Sequence, residues 1–352
     1  MNPNRTRNLT LEWVKLLAAC FVVLIHVLLP GDLGSAADCI GRFAVPVFFA
    51  ISGYYAFGAE SRSVAKKLLR TLRLTVGANL FYFFLSFFLW NYEEYIHFVD
   101  YFHYRINLYN LSNMFITGVT PTEGWQLWFL TALLFCYAVL YLYVRFFNGE
   151  PVKYSYLYCI SACMLAFFFY QDSLMDLQGV TEINETARNG LFLGLPCFSL
   201  GLFLREHEER IARAYPWSNL RSLILIADGI GLSLVQYFGT GKAELPLGML
   251  LAVPELFLFC VHNPIPRLLP FRTLAPWAGK MSLWVFLLHM AVYLTIMPLQ
   301  NSFPVLAWIC SEEGPIPLGI WVLLLTLAVS QVVVMISPLF GKLIRRRSKT
   351  TD

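Results

Sequence analysis

The sequence predicts an all-α fold, a polytopic transmembrane helical bundle with about ten spans, and two observations carry this prediction. Only 14% of the 352 residues are charged and 58% are hydrophobic, whereas a soluble domain has about 25% charged residues. The apolar residues also come in long blocks that lack the strict alternation of membrane β-barrel strands. We therefore expect one membrane-embedded domain over residues 1–352, with no soluble domain appended.

Each apolar block is close to the length of about 20 residues that a helix needs to cross the hydrocarbon core. Most of the segments between the blocks are short and polar. The exception is residues 92–124, which are rich in Tyr and which we predict to be an extracytoplasmic loop lying at the membrane interface. The predicted spans are 11–30, 37–58, 72–91, 125–147, 154–171, 187–205, 219–239, 246–262, 280–300 and 318–343.

The distribution of Lys and Arg predicts the orientation. Basic residues cluster in alternate connecting segments, as in "RSVAKKLLRTLR", "REHEERIAR", "PRLLPFR" and "RRRSK". Because cytoplasmic segments are enriched in Lys and Arg, this alternation places both termini in the cytoplasm. We expect a multi-pass protein of the plasma membrane.

The first span carries a polar stripe on one helix face. A helix turns by about 100° per residue, so Lys15 and His26, eleven positions apart, lie about 20° apart around the axis and about 16 Å apart along it. Glu12, one turn before Lys15, shares this face. A snorkelling Lys15 and a hydrogen-bonded core histidine would explain these residues one by one. The alignment of all three favours a functional role, because ionisable residues inside spans are rare.

Arg42 enters the second predicted span from the outer side, near the depth of His26. It is always charged and needs an anion, carbonyl groups or water, so it either serves the site or snorkels to the headgroups. Glu12 lies about 21 Å from His26 along the helix, so the two cannot be in contact. A carboxylate that orients His26 must come from elsewhere, and Asp38 is the candidate.

These two stretches, "LEWVKLLAACFVVLIHV" and "GRFAVPVFFAISGYYAFG", resemble the start of the acyltransferase 3 family of integral membrane acyltransferases. In that family the first helix typically has an acidic residue, an arginine three positions later and a histidine after ten more residues. Glu12, Lys15 and His26 occupy these places, with lysine replacing the arginine. Three further strings resemble later family segments: "LWFLTALLFCY" (127–137), "GLPCFSLGLFL" (194–204) and "MSLWVFLLHMAVY" (281–293).

The resemblance implies O-acetylation: transfer of an acyl group, usually acetyl, from cytoplasmic acyl-coenzyme A to a hydroxyl of an extracytoplasmic or membrane-linked acceptor, as in polysaccharide modification in the cell envelope. The family histidine, here His26, would be the catalytic base, and Glu12 its helper or a structural partner. Lys15 would stand on the donor side. Lysine binds phosphate as a point charge and cannot make the bidentate contact of arginine.

The phosphates of coenzyme A need cytoplasmic cations. Lys66, Arg70 and Arg73 precede the third predicted span, and the two arginines lie one helical turn apart, where they could clamp phosphates. The general enrichment of basic residues in cytoplasmic segments explains the same cluster without donor binding. Acetyl-coenzyme A as acyl donor is the only cofactor that we expect.

Candidate acceptor-binding residues lie in later spans. Gln126 and Trp128, at the outer start of the fourth span, would line the same cavity as His26 and Arg42, and His289 lies within a family-like string of the ninth span. We predict no metal site, since none of the eight cysteines forms a CxxC pair. The expected partners are acyl-coenzyme A, a carbohydrate or other hydroxyl-bearing acceptor and the lipid bilayer, with no nucleic acid. The oligomeric state is not indicated.

A transporter is the alternative function. It would use the charged residues of the spans, Asp228 and Glu255 among them, as a path for a substrate or a proton. Against transport, the sequence shows no inverted repeat and no pair of broken helices. A purely structural role leaves the polar stripe of the first span unexplained.

Overall fold

The computed structural model describes residues 8–93, 96–147, 150–177, 188–214, 218–240, 244–303, 307–308 and 316–348, and these residues are helical, with short connections. Within these described ranges, seven helical segments are long and apolar enough to cross a membrane, and Ser155–Gln171 and Met249–His262 are shorter apolar helices. The sixth predicted span, 187–205, holds a π-helical turn and a short helix. The all-helical, multi-pass prediction is confirmed, whereas the count of ten spans and the location of the termini stay predictions.

The helices are numbered here in chain order. They are α1 (Leu9–His26), α2 (Gly31–Gly41), α3 (Ala44–Tyr54), α4 (Ser61–Glu93), α5 (Phe98–Arg105), α6 (Leu108–Ile116), α7 (Trp128–Phe146), α8 (Ser155–Leu177), α9 (Leu195–Glu206), α10 (Glu208–Ala214), α11 (Asn219–Thr240), α12 (Met249–His262), α13 (Leu269–Ser302) and α14 (Leu318–Ser348), with a 3₁₀ turn at Trp125–Leu127 and a π-helical turn at Gly190–Gly194.

Helix α1 is held at its start and packed along its length. The Asn8 side chain caps it by accepting from the backbone N–H of Leu11 and donates to the carbonyl of Cys260, so the start of α1 is tied to the end of α12. The helix ends at His26, shortly before Pro30. Its main packing partner is α13, and it also contacts α2, α3 and α14. His26 therefore lies at the end of a central helix.

The second predicted span is two helices rather than one. Helices α2 and α3 meet at a turn formed by Arg42 and Phe43. Pro46 explains the break, because it has no N–H to bond the carbonyl of Arg42 four positions earlier. The turn leaves Arg42 at a helix junction, buried and directed towards the neighbouring helices.

Helices α3 and α9 cross at very close range. A Cβ added at Gly53 would lie 1.9 Å from the carbonyl oxygen of Phe198, and one added at Gly201 would lie 1.9 Å from that of Ala50. Such small-residue contacts let membrane helices approach closely. The crossing holds α3, which follows Arg42, rigidly against the bundle.

The predicted extracytoplasmic loop 92–124 contains two short helices, α5 and α6, while residues 94 and 95 lie outside the described residues. Arg105 lies over the ring of Trp90 at 4.4 Å and is paired with Glu123. Tyr101 is buried against the end of α4. The segment is thus an aromatic cap fastened to the bundle, close to where α7 begins.

Candidate functional site

A cavity of about 40 Å³ lies at the end of α1, between α1, the α2–α3 turn, the start of α7 and residues 188–194. Four residues that the sequence marks as candidates line it together: His26, Arg42, Gln126 and Trp128. They come from three separate predicted spans. The other lining residues are Val22, Ile25, Gly41, Val45, Pro46, Phe129, Arg188, Leu193, Glu244 and Phe286.

Arg42 is the centre of a buried ionic network. Its Nη1 donates to Glu244 Oε2 at 2.7 Å and its Nη2 donates to Asp38 Oδ1 at 2.8 Å. Arg188 binds the same glutamate through two nitrogens, at 2.9 and 2.7 Å, and Tyr237 donates to Asp38 Oδ2 at 2.7 Å. Two guanidinium groups and two carboxylates give the network a formal charge of zero, which makes its burial tolerable.

The Nε of Arg42 is a buried donor with no hydrogen-bond partner among the described residues. The network uses one N–H of each terminal nitrogen, and Nε is the guanidinium nitrogen that has no partner among the described residues. An uncommitted cationic donor in a buried cavity suits an anion or a carbonyl oxygen that gains negative charge.

His26 is stacked on a second histidine. The rings of His26 and His289 lie 5.3 Å apart between centroids with an interplanar angle of 29°. His289 is fully buried, and its Nδ1 lies 3.1 Å from the carbonyl oxygen of Val285. A carbonyl only accepts, so Nδ1 donates. The Nε2 of His289 has no partner among the described residues.

Gln126 presents an acceptor to the cavity. Its Nε2 donates to the hydroxyl of Tyr82 at 2.8 Å and to the carbonyl of Leu287 at 3.3 Å. Its Oε1 is buried without a partner in the described structure. Because an amide oxygen accepts and cannot donate, Gln126 is suited to hold a hydroxyl or a water and unsuited to stabilise an oxyanion.

The donor-side candidates lie away from the cavity. Lys15 pairs with Glu12 at 2.7 Å near the start of α1, with Glu12 buried and Lys15 partly exposed. Lys66, Arg70 and Arg73 are exposed along the first turns of α4. None of these five residues lines the His26 cavity, which agrees with the expected separation of Glu12 from His26.

A second, larger recess adjoins the cavity. It has a volume of about 350 Å³ and shares Trp128 and Arg188 with the first. Trp125 is half exposed, and the recess is completed by residues 117–120. Gly118, with φ +76°, closes one side, since a Cβ there would lie 2.5 Å from the carbonyl oxygen of Arg188. The recess is large enough for a ring-sized ligand beside the cavity.

The described residues contain no group of three or more His, Cys, Asp or Glu side chains that could hold a metal ion. The polar groups that line the cavity include the imidazole of His26, two guanidinium groups and the amide of Gln126. These groups suit proton transfer and stabilisation of negative charge.

Comparison with known families decides the assignment. The model of the acyltransferase 3 family, described as an acyltransferase domain, matches residues 8–335, nearly the whole chain. The chain belongs to the acyltransferase 3 family. No curated protein and no solved structure matches it, so membership of this family is the basis for the functional argument.

As a member of the acyltransferase 3 family, the protein is a multi-pass membrane acyltransferase. The structure also shows the partners of Asp38: its two oxygens accept from Arg42 and from Tyr237. A role for Asp38 in orienting His26 stays a prediction. The ring beside His26 is that of His289, which is not among the residues that line the cavity.

The sequence did not point to Glu244, Arg188, Tyr237 or Tyr82 as site residues. Glu244 lies between two predicted spans and Arg188 at the first turn of another, and a charged residue is unremarkable at either place. One signal was available: two outer arginines, Arg42 and Arg188, at a membrane boundary require nearby carboxylates.

Proposed function

We propose that the protein transfers an acyl group, most simply acetyl, from cytoplasmic acyl-coenzyme A to a hydroxyl of an extracytoplasmic or membrane-linked acceptor such as a sugar. The observation that carries the proposal is the convergence of His26, Arg42, Gln126 and Trp128 on one cavity in a member of an acyltransferase family. The proposed setting is the plasma membrane and the modification of cell-envelope polysaccharide.

His26 is proposed as the general base. It removes the proton of the acceptor hydroxyl while that oxygen attacks the carbonyl carbon of the thioester. The carbon–sulfur bond of the tetrahedral intermediate then breaks, and the coenzyme A thiolate leaves and takes the proton from the imidazolium. Imidazole suits both steps because its ordinary pKa lies near neutrality.

Arg42 is proposed to stabilise the oxyanion through its Nε–H, because Nε is the guanidinium nitrogen without a partner among the described residues. The network supports this role because it holds the guanidinium plane on both sides before the reaction begins. Preorganised donors of this kind cost no reorganisation when charge develops.

The donor would reach His26 along α1. Lys15 and Glu12 stand about 16 and 21 Å from His26 along the helix axis, and the exposed cations Lys66, Arg70 and Arg73 supply charges for the coenzyme A phosphates. The acyl-bearing arm is proposed to extend from these cations to the cavity.

The acceptor is proposed to occupy the recess beside the cavity. Trp125 and Trp128 offer aromatic faces for the apolar side of a sugar ring, and Arg188 stands at the junction of the two spaces. Gln126 Oε1 would then accept a hydrogen bond from the reacting hydroxyl. In this arrangement donor and acceptor approach His26 from opposite sides.

Transport is less well supported. A substrate path needs its charged groups on one route, but Asp228 is exposed on the outer face of α11, and Glu255 accepts a hydrogen bond from Ser222 at 2.9 Å. Neither residue lines the cavity that holds His26 and Arg42.

Radiolabelled acetyl-coenzyme A, incubated with the purified protein and a broad panel of hydroxyl acceptors, tests the proposal. We expect labelled product from the wild type and a loss of about 10²- to 10⁴-fold for His26→Ala. His103→Ala, on the exposed surface of α5, is the matched control and should retain activity. Equal inactivity of wild type and His26→Ala, together with uptake of a solute by proteoliposomes, would favour transport instead.

A further inference from the structure

Tyr82 of α4 is a fully buried residue whose hydroxyl joins three parts of the protein. The hydroxyl donates to the carbonyl of Leu287 at 2.7 Å, and it accepts from the backbone N–H of Ala291 at 3.1 Å and from Gln126 Nε2 at 2.8 Å. All the hydrogen-bonding capacity of the hydroxyl is therefore used. Every buried hydroxyl needs hydrogen-bond partners, so it is the identity of these partners that matters.

The two backbone partners of Tyr82 are four residues apart in α13. In an uninterrupted helix the N–H of Ala291 bonds to the carbonyl of Leu287, and here the Tyr82 hydroxyl bridges these same two groups. The hydroxyl therefore ties both ends of this one turn of α13 to α4. The bridged turn contains His289, whose ring is stacked on His26.

Gly124 gives Tyr82 the room to reach this position. A Cβ added at Gly124 would lie 2.9 Å from Cγ of Tyr82 and 2.8 Å from Cδ1 of Leu127. Any larger residue at position 124 would push the Tyr82 ring away from α13. The turn that carries Gln126 is thus packed against the ring of Tyr82, whose hydroxyl binds Gln126.

We propose that Tyr82 is a positioning residue of the acyl-transfer site. It acts on two groups of the site, Gln126 and His289. By accepting from Nε2 it directs the Oε1 of Gln126 into the cavity, and by bridging α13 it sets the turn from which His289 supports the ring of His26. The proposal rests on the proposed function for its kinetic consequence, while its geometric consequence is independent of that function.

Tyr82→Phe removes only the hydroxyl and keeps the ring. We expect kcat for acetyl transfer to fall by about 10²-fold, the effect of misplacing reacting groups by about 1 Å, with the KM for acetyl-coenzyme A unchanged. The matched control is Tyr101→Phe, which removes another buried tyrosine hydroxyl, one that bonds the carbonyl of Phe83 outside the site. This control should keep the wild-type kcat.

NMR of protein labelled with ¹⁵N at its six histidines provides the second measurement. Signals assigned through His26→Ala and His289→Ala should shift in Tyr82→Phe and stay in place in Tyr101→Phe. Gly124→Ala, which retains the hydroxyl and displaces the ring, should shift the same two signals.

The two readouts separate the possible failures. If Tyr82→Phe leaves both histidine signals in place and kcat within about twofold of wild type, Tyr82 is a packing residue and the proposal is wrong. If the wild type transfers no acyl group and yet the two signals shift, the proposed function fails and the positioning by Tyr82 stands. A uniform loss of all histidine signals in Tyr82→Phe, with Gly124→Ala unchanged, would also contradict the proposal.

Discussion

Glu244→Gln is the sharpest test of the ionic network, because this one carboxylate binds both arginines of the site. It accepts from Arg42 Nη1 and from two nitrogens of Arg188. Glutamine keeps the size of the side chain, but its amide nitrogen cannot accept a hydrogen bond and it carries no charge. The substitution changes the formal charge of the network from zero to +1.

The size of the effect follows from burial. Breaking a buried ion pair by removing one partner costs about 3–5 kcal/mol, because the other charge is left uncompensated. With an unfolding entropy of about 2.1 cal/mol/K per residue, a loss of about 4 kcal/mol in a chain of this length corresponds to a Tm lower by about 5 °C. We also expect acyl transfer to fall, since Arg42 is no longer held in place.

Thermal unfolding of the detergent-solubilised protein measures the change. The matched control is Glu208→Gln, which removes a carboxylate from the partly exposed pair with Arg205. Such a pair contributes about 0–1 kcal/mol to stability, so the Tm of Glu208→Gln should fall by about 1 °C at most. Adding Arg188→Gln to Glu244→Gln returns the network to a formal charge of zero and should recover part of the stability.

Two results would refute this reasoning. One is an equal change in Tm for Glu244→Gln and Glu208→Gln, which would mean that the buried network contributes no more than a surface pair. The other is strict additivity of the Glu244 and Arg188 substitutions, which would mean that the two side chains do not interact energetically.

Three further predictions concern the crossing of helices α3 and α9, the donor and the acceptor. Gly53→Ala should lower the free energy of unfolding by about 1–3 kcal/mol through overpacking. Gly77→Ala, at a position with open space around it, should leave the Tm unchanged or raise it. Lys15→Ala should raise the KM for acetyl-coenzyme A about tenfold, because a charged contact is lost, whereas Lys15→Arg should keep the wild-type KM. A wild-type KM in Lys15→Ala would exclude Lys15 from the donor site. Trp125→Ala should raise the KM for the acceptor several-fold. Trp90→Ala, which changes a residue packed against Tyr101 of the aromatic cap, should leave the KM for the acceptor unchanged.

Much of the fold could be predicted because its determinants are local. Apolar block length predicts spans, and helical periodicity puts Lys15 and His26 on one face of α1. The break between α2 and α3 was not predicted, although Pro46 is visible in the sequence, because a proline in a span does not by itself tell whether the helix kinks or stops.

The partners within the site could not be predicted, because they are set by packing between distant segments. Glu244 lies 202 positions from Arg42, and Tyr82 lies 205 positions from Leu287. Periodicity tells which face of a helix is polar and says nothing about which other helix meets it. Asp38 illustrates this: its place near the outer start of the second predicted span suggested His26 as its partner, and the fold brings Arg42 and Tyr237 to it.

Chemical rescue of His26→Ala tests the central claim most directly. The substitution removes the imidazole from the cavity, so free imidazole in the assay can take over the role of the base. We predict that His26→Ala loses acyl transfer from acetyl-coenzyme A and regains a measurable part of it with imidazole, while Arg42→Ala does not respond. Wild-type activity in His26→Ala, or an equal response of both variants to imidazole, would contradict the assignment of His26 as the general base.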